Sequence, residues 1–338
     1  MLKPNVALPT VSVLLLSVVV PQVSKAADME IYGRAHLSFD LLGDGNDYGL
    51  NVSSNSSRIG FRAQHEINDN LEAFMQLEQK VGFDEGAGEF ATRDSFAGLR
   101  GNWGQVRFGT FDTPGKLLRA QADVFNDRLG DLRNMASGDD MSFDPRFRKS
   151  IHYRSPSFAN TTFDIQYSPH NDTGATTDNE LEALSVGINY ESDVFWFGVV
   201  YETNELEGRD PTAIRMGSSY NFNEAWQGIL YYQHASDLEF GDRQVYGGGF
   251  KYGFNDYAIM AQYYHATEND FADTAANMIA VGVDYYISDE LTLYAILGAT
   301  DNDDNAGFSV SAGGRDTQLH PELGNTASGL SLGFIYNF

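Results

Sequence analysis

The chain has 338 residues, and its 47 Asp and Glu outweigh 22 Lys and Arg to give a formal charge of −25, which argues against a nucleic-acid partner. It contains no cysteine, so no disulfide staples it. Its 18 Tyr, 23 Phe and 3 Trp are too many for a solvated acidic tail.

At the N-terminus Lys3 precedes an apolar run from Val6 to Val20, followed by the small residues Ser24 and Ala26. The run is short for a membrane helix, and Ser24 and Ala26 suit the minus-three and minus-one places of a cleavage site. Residues 1–26 are therefore expected to be a secretory signal peptide, and residues 27–338 the folded domain. No later stretch approaches the ~18 consecutive apolar residues of a spanning helix.

From there the chain alternates with period two. In "IYGRAHLSFD", Ile31, Gly33, Ala35, Leu37 and Phe39 share one face, while Tyr32, Arg34, His36, Ser38 and Asp40 share the other. "RIGFRAQHEI" sends Arg58, Gly60, Arg62, Gln64 and Glu66 to the polar face, and "LEAFMQLEQK" sends Glu72, Phe74, Gln76, Glu78 and Lys80 there. A soluble sandwich alternates in the same way, so the connections must decide. Long connections are predicted at about 43–55, 84–94, 112–149, 171–181, 203–212, 236–243, 267–276 and 301–328. Short turns are predicted near 68–70, 102–104, 157–160, 191–194, 222–225, 254–256 and 288–290. Eight long and seven short connections imply sixteen strands, with short turns at one rim and long loops at the other, the pattern of an antiparallel transmembrane β-barrel.

The third long connection, 112–149, breaks the alternation. Leu118, Ala122, Phe125, Leu129 and Leu132 recur with the period of one helix face, and Thr113 followed by Pro114 reads as an N-cap and first helical residue. A helix is expected within 111–133, with Asp123, Asp127 and Asp131 on its polar side. The last strand, "GLSLGFIYNF", places Leu330, Leu332, Phe334, Tyr336 and Phe338 on one face, as a lipid-facing strand does.

The segments "EIYGRA", "SSRIGF", "FAGLRG" and "YRSPSF", together with the terminal aromatic strand, resemble the general porins of Gram-negative bacteria. That resemblance implies an all-β fold: a 16-stranded antiparallel barrel in the outer membrane, its third long loop folded inward and carrying a short helix. It also implies passive diffusion of ions and small hydrophilic solutes, a homotrimer, contact with outer-membrane lipid and lipopolysaccharide, and recognition of Phe338 by the barrel-assembly machinery. No catalysis, cofactor or metal is implied. Two other readings stand beside it, a substrate-selective barrel and an outer-membrane barrel hydrolase.

For the pore, the inward-facing Arg34, Arg58, Arg62, Arg100 and Arg107 cluster on one arc of the wall. By resemblance Arg34, Arg58, Arg93 and Arg154 fall where the family's basic ladder lies. Alternation back from Arg100 points Arg93 outward, so a bulge or strand end is needed to bring it in. The acidic partners expected are Asp123, Asp127 and Asp131, turned from the loop helix toward the water, with Asp139, Asp140 and Asp144 as second choices. The enteric subgroup's "PEFGG" loop motif is absent, and the loop carries Arg119, Arg128 and Arg133 of its own. Gly60, Gly98 and Gly109 are expected to leave room for the loop. The acidic composition favours cations and the arginines favour anions; a weak cation preference is expected, with Asn at the three aspartates shifting it toward anions.

Three other signals are weaker. "DNDDNAG" at 301–307 has Asp301, Asp303 and Asn305 at calcium-loop spacing but Ala306 at the sixth position and Ala312 at the twelfth. "YGGGFKYG" at 246–253 lies within a strand and opens no helix, so it reads as close packing. The seven histidines show no metal-ligand spacing.

Overall fold

The computed structural model describes residues 27–84, 86, 93–171, 181–206 and 208–338; the expected signal segment lies outside them. Seventeen strand segments run in chain order: β1 (Asp28–Gly43), β2 (Tyr48–Ser54), β3 (Arg58–Asn68), β4 (Leu71–Lys80), β5 (Ser95–Gly101), β6 (Gly104–Asp112), β7 (Arg146–Arg154), β8 (Thr161–Ser168) and β9 (Ala183–Glu191). The second half holds β10 (Phe195–Asn204), β11 (Thr212–Asn221), β12 (Trp226–Ser236), β13 (Arg243–Phe254), β14 (Tyr257–Ala266), β15 (Ala276–Tyr286), β16 (Leu291–Asn302) and β17 (Ala327–Asn337). Two helices, α1 (Pro114–Gln121) and α2 (Arg133–Ala136), interrupt the series between β6 and β7.

Each strand pairs antiparallel with its neighbours, and β17 pairs back onto β1 from Arg34↔Asn337 to Gly43↔Ser328, which closes the barrel and removes the sheet edges. Phe338 extends that seam: Gly33 and Phe338 exchange backbone hydrogen bonds of 2.9 and 3.1 Å. A Cβ on Gly33 would stand 2.3 Å from the Phe338 ring, so only glycine lets the terminal aromatic lie flat there.

β2 and β3 are two halves of one barrel strand, so the barrel has sixteen. The upper part of β1 pairs with β2 and its lower part with β3. The break falls at Ser56, whose backbone is left-handed at φ 53. Ser57 bridges it by accepting from the His36 N–H and donating to the His36 carbonyl, both at 3.0 Å. The connection expected at 43–55 is thus a four-residue turn at 44–47 inside a longer hairpin. Asp44 makes that turn tight by accepting from the N–H groups of Asn46 and Asp47.

Alternation sorts the side chains as the period demands. His36, Ser38 and Asp40 are buried inside, while Ile31, Phe39 and Leu41 stand on the outer surface. Outward Ile279, Val281, Val283, Leu330, Leu332 and Phe334 make an apolar band of the kind that faces acyl chains. Along the short-turn rim Trp226, Tyr252, Phe254, Tyr257 and Tyr285 stack in series, with successive centroids 4.4, 5.7, 5.7 and 4.8 Å apart. Amphipathic rings in such a girdle sit at a membrane interface.

Candidate pore constriction

The connection between β6 and β7 lies inside the barrel. Thr113 caps α1 by accepting from the Lys116 N–H at 3.1 Å, with Pro114 in the first turn. The helix stops at Gln121, although the apolar period runs on. Asp123 draws the Phe125 N–H to its own carboxylate at 2.9 Å, and Asp127 and Gly130 adopt φ of 61° and 78°. Leu118, Ala122, Phe125, Leu129 and Leu132 are nonetheless all buried. The period identified the face that meets the wall, and carboxylates competing for backbone N–H groups end the helix.

Glycines on β10, β11 and β15 to β17 make the groove that receives this face. A Cβ at Gly198 would lie 3.0 Å from Leu118, at Gly217 3.2 Å from Ala122, at Gly282 2.8 Å from Phe125 and at Gly329 3.1 Å from Leu129. Gly60 and Gly98, expected to leave room for the loop, do not. Gly60 lies under the Tyr32 ring and Gly98 under Phe74 and Arg107, while Gly109 meets the backbone of Ser95 and Phe96. Polar contacts fix the loop in place: Tyr264 donates to the Ala122 carbonyl at 2.9 Å, Gln262 to that of Gly130 at 2.7 Å and Gln233 to that of Ala136 at 2.9 Å. Arg128 reaches Asp284 on β15 at 2.7 Å.

The loop's charges converge on Arg119, which no water reaches. Its guanidinium meets Asp144 at 2.7 Å, Asn126 at 2.8 Å, Asp131 at 3.0 Å and Asp123 at 3.3 Å. The buried Arg215 of β11 binds the other oxygen of Asp144. Asp123 and Asp131 have no exposed side-chain surface, so they do not turn to the water as expected. Their oxygens also accept the N–H groups of Phe125, Leu132, Asp127 and Arg133, which holds the turns of the loop. Burial opposes the charge of Asp144, yet Arg215, Arg119 and Arg133 outweigh it and hold this carboxyl well below the usual range. Asp123 goes the other way: burial and then the adjacent Asp131 push it up further than Arg119 brings it down. Asp139 and Asp140 lie 3.0 and 3.7 Å from the buried Arg243 on β13.

Across the lumen the seven expected basic residues fall into two groups. Arg34, Arg58 and Lys80 lie in one register row, since Arg34 is paired with Arg58 and Arg58 with Lys80. Arg93 joins them. It precedes β5, so strand alternation does not govern it, and its side chain reaches Glu78 at 2.5 Å. Asp127 is the one member of the acidic triad that meets this wall, 3.9 Å from Arg34 and 3.5 Å from Arg133. Burial again disfavours its charge, and Arg133, Arg34 and Arg58 overcome that and depress its titration.

Arg62, Arg100, Arg107 and Arg154 lie nearer the short turns. Arg62 is four residues beyond Arg58, about 13 Å along the same strand. Its partner is Glu30 at 3.6 Å, that of Arg100 is Glu72 at 2.5 Å, and Arg154 grips Asp164 at 2.7 and 3.2 Å. Sequence reasoning did not count Lys80, Arg133 or Arg146 among the pore residues, although it noted Arg133 in the loop; the latter two enter the narrow zone from the loop and from the first residue of β7. The last connection, 303–326, was expected as a long loop, but its inward fold onto the loop between β6 and β7 was not. There Arg315 is buried against Asp40, Asp316 meets Lys80 at 2.6 Å, and Gly130 donates to the Val310 carbonyl at 2.9 Å. Among the described residues no cluster of three His, Asp or Glu side chains is placed to hold a metal.

A closed sixteen-strand barrel with a long loop held inside it is one architecture that known proteins share, and a sequence profile of Gram-negative porins matches residues 11–305. The chain belongs to the Gram-negative porin family. The major outer membrane protein of Halomonas elongata is 25% identical over 84% of this chain and 90% of its own length. The structure of an anion-selective porin from Comamonas acidovorans superposes with a TM-score of 0.79 at 20% identity, over 93% of this chain and all of that one. The trimer form of in-vitro folded OmpT from Vibrio cholerae does so with 0.69 at 17% identity, over 93% and 100%. This porin resides in the outer membrane and forms a water-filled channel through which ions and small hydrophilic solutes diffuse.

Proposed function

We propose that this porin is a trimeric diffusion channel whose narrow zone favours anions. One observation carries the reading: the loop's Asp123, Asp131 and Asp144 are turned into the dry Arg119 cluster, while Arg34, Arg58, Arg93, Arg133 and Arg146 keep surface toward the lumen. Glu78 and Asp127 are more deeply covered than the arginines they face, while Asp94 and Asp112, which hold Arg146 at 2.7 and 3.1 Å, are covered to the same degree as Arg146 itself. The field met by a solute is therefore set by exposed guanidiniums, and screening by water and salt weakens it least where the channel is narrow. This reverses the weak cation preference expected from composition, because the −25 charge of the chain lies largely outside the constriction. The anion-selective porin of Comamonas, whose structure this barrel resembles, supports the same sign.

A trimer is supported by the trimer form of the Vibrio barrel and by Ala63, Met75 and Ala97, which lie side by side in register on the outer face. The family consists of channels, and no catalytic role is proposed for any residue. Single-channel recording of the purified protein under a KCl gradient tests both points. Ohmic steps closing in threes, with a reversal potential of the sign set by chloride, are expected. A potential of the sign set by potassium contradicts the anion preference, and single isolated steps contradict the trimer.

A further inference from the structure

The inner wall of β3 to β6 holds a recess of about 320 Å³ between the constriction and the short-turn rim, a volume at the lower end of those that hold small organic ligands. Arg62, Arg100 and Arg107 line it, with Gln64, Gln76 and Gln105 as uncharged hydrogen-bonding groups and Phe74 and Phe96 as its apolar surface. The three guanidiniums differ in their state. Arg62 stacks on Tyr32 at 3.9 Å and faces Glu30, and Arg100 lies over Phe74 at 5.3 Å and faces Glu72. Arg107 has no carboxylate within ion-pair distance among the described residues. It lies 4.0 Å from the Phe111 ring centroid and 4.8 Å from that of Phe96, and its Nε donates to His152 at 3.1 Å. That orientation leaves the two Nη atoms as a planar donor fork, the geometry that fits a carboxylate bidentately.

We propose that this recess is a binding subsite for small planar aryl carboxylates on their way through the channel. The carboxylate takes the fork of Arg107 and the ring lies against Phe74 and Phe96, while the glutamines orient polar substituents. Glu30 and Glu72 already balance Arg62 and Arg100, and Asp28 lines the edge of the recess, so one negative charge on the solute is matched and a second is opposed. An inorganic anion gains nothing from the aromatic surface. The residues are distinct from those of the constriction, since Arg62 lies about 13 Å along the strand from Arg58.

The subsite rests on the reading of the barrel as an open, anion-preferring channel, and the test keeps the two apart. Open-channel current is recorded through the full chain in a planar bilayer while benzoate, cyclohexanecarboxylate or benzamide is added to the bath. Benzoate is expected to reduce the current saturably, with half-blocking at about a tenfold lower concentration than cyclohexanecarboxylate, which has the charge without the π surface. Benzamide, with the ring and no charge, is expected to block least. Arg107→Gln raises the half-blocking concentration of benzoate about tenfold, and Phe74→Leu narrows the gap between the two acids. Arg107→Lys, which keeps the charge but not the fork, weakens benzoate block and serves if the Gln variant fails to fold. Equal block by both acids, or block untouched by the Arg107 variants, overturns the subsite. Absence of ohmic steps in KCl alone overturns the channel reading instead.

Discussion

The cluster beneath the inserted loop and the arginine row that faces it handle charge in opposite ways. On the side of β9 to β17, Arg119, Arg215, Asp123, Asp131 and Asp144 meet in a dry cluster beneath the inserted loop, where they neutralise one another and fix a backbone path. On the side of β1 to β7, Arg34, Arg58 and Lys80 stand in one row with surface toward water. The same residue types thus serve as structure on one wall and as a field on the other. Burial decides which, because charges removed from water must pair, whereas charges left in it act at a distance.

The comparison breaks most severely at Asp144. Asp144→Asn leaves Arg119 and Arg215 buried with one partner carboxylate fewer, and breaking such a pair costs about 3–5 kcal/mol. The expected outcome is a loop that detaches from the wall, read as raised and noisy single-channel conductance and as rapid hydrogen exchange over 119–136. A smaller effect is expected from the groove. Gly282→Val drives a side chain against Phe125, and overpacking of this kind costs about 1–3 kcal/mol; conductance rises less than for Asp144→Asn, and an unchanged conductance would show that the loop does not rest there.

Acidification sharpens the comparison further. Asp127 and Asp144 titrate below an ordinary Asp of about 3.9, so their contribution is fully present above about pH 4 and is lost as pH falls beyond it. Asp123 titrates higher in the folded protein, so its contribution is present below about pH 4 and is lost as pH rises through its folded value. Between neutral pH and about 4, therefore, the first proton relieves the cluster and exchange protection of the loop holds or rises slightly. Protection that already falls at pH 5 would contradict this order.

Much of the fold was legible because a barrel wall obeys a period of two. The inward His36, Ser38 and Asp40 and the outward Phe39 and Leu41 follow from it, as does the strand count. The turn at 44–47 and the break at Ser56 were not legible, since Asp, Gly and Asn mark a long loop and a tight turn alike. At the site, alternation gave the inward side of Arg58 and Arg62 but not their level, because height in a tilted barrel depends on register. The burial of Asp123 and Asp131 was hidden for another reason. Their partner Arg119 lies on the same loop, and only the folded loop shows that these groups turn toward one another instead of toward the pore.

The measurement that tests the central claim most directly is the reversal potential of two variants under the same KCl gradient. Arg34→Gln, Arg58→Gln and Arg93→Gln together are predicted to move it clearly toward cations, while Asp123→Asn alone, which removes a charge that burial already disfavours, leaves it nearly where it was. A large anion-directed shift from Asp123→Asn, with little change from the arginines, would contradict the account and return the acidic side of the constriction to the loop.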